Sequence, residues 1–134
     1  MTITPIKPSG IVLLTTLRCT AACDNCCFGC SPKQGCTMTL DEMKGYVDMS
    51  LEAYPDTIST LDLTGGECML LGKDVERIMS YAKSKGLKSM MVSNAFWATD
   101  YDKAYTWKSQ ACLTPEGKAM LTPENFFILT PLKS

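Results

Sequence analysis

Three short aliphatic runs, each leading into a polar loop, constrain the fold of this chain most. They are GIVLLTTLR from Gly10 to Arg18, TISTLDLTGGE from Thr57 to Glu67, and LKSMMVSNA from Leu87 to Ala95. Runs of this length, rich in β-branched and aliphatic residues, read as buried strands. The second run ends as a strand at Gly65. The segments between the runs have a different period. Thr39 and Glu42 have the spacing of a capping box, after which Leu40, Met43, Val47, Leu51 and Tyr54 fall on one helical face until Pro55 stops the pattern. KDVERIMSYAKSKG predicts a second helix with Val75, Ile78, Met79 and Ala82 inward and Gly86 as its stop. TDYDKAYTWKSQA, Thr99 to Ala111, predicts a third, with Thr99 or Asp100 as its cap.

Strands that alternate with helices of this length predict an α/β fold of parallel βα units. Right-handed crossovers then put the C-terminal end of every strand on one side. Cys19 to Cys30, Gly65 to Glu67 and Ser93 to Asn94 should therefore converge. Beyond Ala111 the pattern fails: LTPE occurs at Leu113 and Leu121 and LTP again at Leu129. That period of eight is too short for another βα unit, and its prolines interrupt any helix or ladder. Residues 1–111 are read as one core and 112–134 as an irregular tail.

At 134 residues the chain is long enough for one domain. Its formal net charge of −1 gives no electrostatic footprint for nucleic acid or a membrane surface. MTITPIKPSG lacks an apolar signal-peptide core and IVLLTTL is far short of a membrane span, so a cytoplasmic location is expected.

The loop after the first strand reads CTAACDNCCFGC, with five cysteines in twelve residues, in a chain of eight cysteines and no histidine. A reducing compartment favours thiolate ligation over disulfides, and the missing imidazole removes triads and mixed zinc sites. Two ligand sets are open. Cys23, Cys26, Cys27 and Cys30 form CxxCCxxC, a possible structural zinc site, but its two pairs touch, which is awkward for a tetrahedron unless Cys36 substitutes. Cys19, Cys23 and Cys26 form CxxxCxxC, which suits a cubane whose fourth iron stays open. Cys36, Cys68 and Cys112 read as plain thiols, and Cys27 and Cys30 as small buried side chains or auxiliary ligands.

CxxxCxxC after a first strand, with GGE some forty residues later after a second, resembles the radical S-adenosylmethionine enzymes. The resemblance implies that Cys19, Cys23 and Cys26 hold a four-iron, four-sulfur (4Fe-4S) cluster. It implies that Gly65, Gly66 and Glu67 hold the methionyl amino group of S-adenosylmethionine, and that Ser93 and Asn94 contact its ribose or carboxylate. In that family an electron from the cluster cleaves the sulfonium to give a 5'-deoxyadenosyl radical that takes hydrogen from a substrate. A small electron-donor protein of flavodoxin or ferredoxin type is the implied partner. Asn25 departs from the family pattern, which has an aromatic residue or histidine before the last ligand; Phe28 is the candidate for that adenine contact.

The family core is a partial TIM-like (β/α) barrel of six units, whereas about three are found here, so a truncated barrel is expected. Such a chain could need a partner chain to complete the barrel and be inactive alone. The alternative is a zinc- or cluster-binding module without catalysis.

Overall fold

The computed structural model describes residues 7–100 and 102–103. Three strands, β1 (Gly10–Thr16), β2 (Thr60–Gly65) and β3 (Lys88–Met91), form one parallel sheet in the order β1-β2-β3. Helix α1 (Leu40–Ala53) joins β1 to β2, and α2 (Lys73–Ser84) joins β2 to β3. This is a run of βα units with neighbouring strands in sequence order. The described residues form an open sheet and no barrel. The tail 112–134 and most of the third predicted helix lie outside them. Of that helix the described part shows Asp100 Oδ1 accepting from Lys103 N at 2.9 Å, the bond of an N-terminal cap.

Side chains alternate across each strand, so the register decides which of them share a face. Leu13 pairs with Leu63 and Leu63 with Met91, while Ile11 pairs with Leu61. These residues face α1 and α2, where Met43, Val47, Val75, Ile78 and Ala82 are fully buried. Each of these side chains except the smaller Ala82 contributes about 1.5–3 kcal/mol relative to exposure. The predicted inward residues of α2 are all buried; on α1, Leu40 and Leu51 pack at the margin of the core and Tyr54 is the exposed C-cap.

Local chemistry sets the helix ends. Thr39 Oγ1 accepts from Glu42 N at 3.3 Å and Glu42 Oε2 accepts from Thr39 N at 2.7 Å, which is the reciprocal capping box. Helix α2 ends where Gly86 takes φ 82°, with Leu87 N donating to Ala82 O and Gly86 N to Lys83 O, both at 3.0 Å. Those two bonds are a Schellman closure, which requires a left-handed residue and hence glycine.

The other face of the sheet carries Val12, Leu14, Met90 and Val92, all exposed. Parallel sheets are ordinarily covered on both faces. Among the described residues no layer covers this one.

Candidate metal and cofactor site

The C-terminal ends of the strands meet as the alternation predicts. After β1 the chain leaves through Leu17 and Arg18 into the cysteine loop and returns alongside itself. Cys19 N donates to Ser31 O at 3.2 Å, Ser31 N to Leu17 O at 3.3 Å, and Leu17 N to Cys36 O at 2.9 Å. Thr16, itself buried, anchors the entry: its hydroxyl accepts from Arg18 N at 3.0 Å and lies 2.8 Å from Thr37 Oγ1.

The two glycines after β2 are needed for close approach. Gly65 has φ 125°, and a Cβ there would strike the Thr16 carbonyl. A Cβ on Gly66 would fall on the Arg18 carbonyl and within 3.2 Å of Cys19 Cβ. The missing side chains let Gly66 N donate to Thr16 O at 2.7 Å and Glu67 N to Arg18 O at 2.9 Å, which lays this turn directly on the first cysteine.

Glu67 is fully buried. Its Oε1 accepts from Met69 N at 2.9 Å and Ser93 Oγ at 2.9 Å; its Oε2 accepts from Asn94 N at 2.7 Å and lies 3.0 Å from the same Ser93 hydroxyl. The first of these bonds caps a short 3-10 turn, Cys68–Leu71, that the sequence reading did not anticipate. An acid directly before an apolar run was its signal. The other bonds tie the turn after β2 to the loop after β3.

That second loop is equally tightly bonded. Ser93 Oγ accepts from Ala95 N at 3.0 Å and from Trp97 Nε1 at 2.9 Å, and Asn94 Oδ1 accepts from Phe96 N at 3.1 Å. These side-chain turns hold Ala95 at φ 59°, a left-handed conformation that costs a non-glycine residue about 1–2 kcal/mol. Asn94 Nδ2 donates to Thr20 Oγ1 at 2.8 Å and approaches Cys19 Sγ at 3.7 Å. Thr20 was not anticipated from sequence, because its contact crosses from one loop to another; Trp97 was not, because its bond to Ser93 depends on the turn that the loop takes.

The described cysteines are all free thiols. Cys19 and Cys26 are half-buried, Cys23, Cys27 and Cys36 exposed, and Cys30 and Cys68 buried. Backbone donors reach two sulfurs: Ala21 N to Cys19 Sγ and Cys30 N to Cys26 Sγ, each at 3.4 Å. The Cys30 backbone N–H, followed by that of Phe28, pulls the Cys26 thiol below its ordinary range, because such donors favour the thiolate. Burial, with the neighbouring Cys26 sulfur, pushes Cys30 up. Cys68 donates to Val92 O at 3.2 Å, and burial beside Glu67 pushes it up to about 12. Phe28 and Asn25 are exposed on the cysteine loop.

Among the described residues no three cysteine or carboxylate side chains are grouped to hold one metal ion. A cubane gives each thiolate its own iron, so it does not need that grouping. The donor set fits a cluster in kind: three free thiols on an irregular loop, with N–H donors on two of the sulfurs.

No protein-family profile matches the chain. The chain is similar to the protein named "Putative peptide biosynthesis protein YydG" from Bacillus subtilis (strain 168), with 33% identity over 88 residues. The match covers 64% of this chain and 26% of that protein, so the chain spans about a quarter of its relative's length. No helix among the described residues is long and apolar enough to cross a membrane.

Proposed function

We propose that this chain carries the cluster-binding, N-terminal part of a radical S-adenosylmethionine core that acts on a peptide. The observation behind the proposal is the seating of the Gly65–Gly66 turn on Cys19, with the Asn94 amide on the sulfur of the same residue. Three loops that carry the cysteines, the glycine pair and the polar end of the third strand thus share one small volume at the C-terminal edge of a parallel sheet. Ligands bind at that edge in open α/β sheets. Similarity to a protein named for peptide biosynthesis supports the substrate class.

In this reading Cys19, Cys23 and Cys26 would hold a 4Fe-4S cluster. When bound, the cluster supplies the electron that cleaves S-adenosylmethionine into methionine and the radical that takes hydrogen from the substrate. The residues of this chain bind and orient. The Gly65–Gly66 turn, with Gly66 lying against Cys19, would receive the cosubstrate's amino group beside the cysteine loop. Ser93 and Asn94 bound the opposite side. Glu67 stands one layer behind, since its buried carboxylate is already occupied by Met69, Ser93 and Asn94. The uncovered face with Val12, Leu14, Met90 and Val92 is where further βα units, from the same protein or a partner chain, would close the site against water. A flavodoxin- or ferredoxin-type donor would supply the electron.

Anaerobic reconstitution with iron and sulfide tests this reading. The wild-type chain should bind iron and sulfide in equal amounts, and a Cys19, Cys23, Cys26 triple alanine variant should bind neither. Zinc binding that depends on Cys27 and Cys30 instead would replace the reading with a structural metal site.

A further inference from the structure

We infer that Glu67 is a positioning residue whose buried carboxylate holds the Asn94 side-chain amide against Cys19 Sγ, so that the loop after β3 tunes the first cysteine sulfur. The inference rests on the proposal that this sulfur is an iron ligand, but its geometry does not.

The chain of contacts is continuous. Glu67 Oε2 accepts the backbone N–H of Asn94 at 2.7 Å, which fixes where Asn94 begins. Ser93 fills the space beside it, donating to the carboxylate and accepting from Ala95 N and Trp97 Nε1. With the backbone fixed, the Asn94 side chain has one orientation that satisfies its surroundings. Its oxygen takes the Phe96 N–H at 3.1 Å, so its nitrogen faces the cysteine loop. An amide nitrogen carries two protons. One reaches Thr20 Oγ1 at 2.8 Å, and the other is available to Cys19 Sγ at 3.7 Å. Ala21 N, at 3.4 Å, is a second donor on the same sulfur.

A donor aimed at a ligand sulfur stabilises negative charge there. An iron-sulfur centre is more negative when reduced, so such donors raise its reduction potential. Glu67 touches neither the sulfur nor the site; it acts through Asn94. The turn after β2 therefore has two outputs. Its glycines let the turn pack directly on Thr16, Arg18 and Cys19, and its acid sets the donor on Cys19 through Asn94.

Two measurements separate this inference from the cluster assignment. In the metal-free full chain, nuclear magnetic resonance of ¹⁵N-labelled protein reads the Asn94 side-chain amide directly. Cys19→Ser and Glu67→Gln should each shift that resonance, and Glu67→Gln, with one oxygen in place of two, should also lower exchange protection of the Asn94 backbone amide. In the reconstituted chain, potentiometric titration followed by electron paramagnetic resonance reads the potential. Asn94→Ala should lower it, Glu67→Asp, which keeps the carboxylate charge but shortens its reach to Asn94 N, should lower it in the same direction, and the double variant should match Asn94→Ala alone, because the two residues act in series. If a Glu67 variant does not fold, Ser93→Ala removes one donor to the carboxylate and leaves its charge, and the same comparison applies. An Asn94 resonance indifferent to both Cys19→Ser and the carboxylate variant overturns the inference, as do potential shifts that add. A chain that takes up no cluster but shows the coupled resonance shifts leaves this geometry standing and removes only the cluster reading.

Discussion

Replacing Gly66 with alanine tests the contact on which the site is built. The added methyl would overlap the Arg18 carbonyl and press on Cys19 Cβ, neither of which is the free end of a flexible side chain. Backbone must therefore move. Overpacking of this kind costs about 1–3 kcal/mol. The movement also stretches the bonds Gly66 N to Thr16 O and Glu67 N to Arg18 O, worth about 1 kcal/mol each if lost. A total of about 2–4 kcal/mol is expected, read as a lowered urea midpoint at unchanged m-value. Gly35→Ala is the matched control, since nothing lies within 4 Å of its added methyl, and it should stay within about 0.5 kcal/mol of wild type. Gly66→Ala should also bind less iron on reconstitution because Cys19 is displaced. A Gly66→Ala chain as stable as the control would refute the claim that the turn sits on the cysteine loop.

Gly45→Ala, in an exposed helical position with open space around it, should stabilise the chain by about 0.5–1 kcal/mol in the same denaturation assay. Thr39→Ala should cost about 1 kcal/mol through loss of the α1 cap. The Thr39 backbone N–H, followed by its hydroxyl, depresses the Glu42 carboxyl, so this stabilisation is full above the ordinary glutamate range and is lost as pH falls through the depressed value; Thr39→Ala, which removes the hydroxyl but keeps the backbone donor, should reduce that acid limb of the stability-pH curve only in part. Alkylation of the native metal-free chain near neutral pH, mapped by mass spectrometry, should mark Cys23, Cys27 and Cys36 and spare Cys68, whose buried thiol is pushed up to about 12.

Much of this architecture is legible in the sequence because local signals and burial agree. The Thr39–Glu42 box, the four inward residues of α2 and the Gly86 stop all depend on residues within one or two helical turns. The convergence of the cysteine loop, the glycine turn and Ser93–Asn94 is legible too, since parallel strands joined by helices leave their C-terminal ends no other side. Strand ends were less so: β1 stops at Thr16 rather than Arg18, because Leu17 bonds to Cys36 and Ser31 of the returning loop, while Arg18 bonds to the Thr16 hydroxyl and to Glu67 N. The bonding of Glu67 was not legible. An acid after two glycines looks solvated or ligand-binding, and only the position of β3 beside β2 shows its oxygens filled by Ser93 and Asn94. The same applies to Ala95, whose left-handed conformation is imposed by side-chain bonds from Ser93 and Asn94 rather than by its own preference.

The central claim is that Cys19, Cys23 and Cys26 would hold a cluster beside the Gly65–Gly66 turn. Electron paramagnetic resonance of the anaerobically reconstituted, reduced chain, recorded with and without S-adenosylmethionine, tests it most directly. The account predicts a cluster signal whose shape changes when the cosubstrate is added, and which is absent from the triple cysteine variant. A signal identical in the presence and absence of S-adenosylmethionine, or one that survives the loss of those three cysteines, would contradict it.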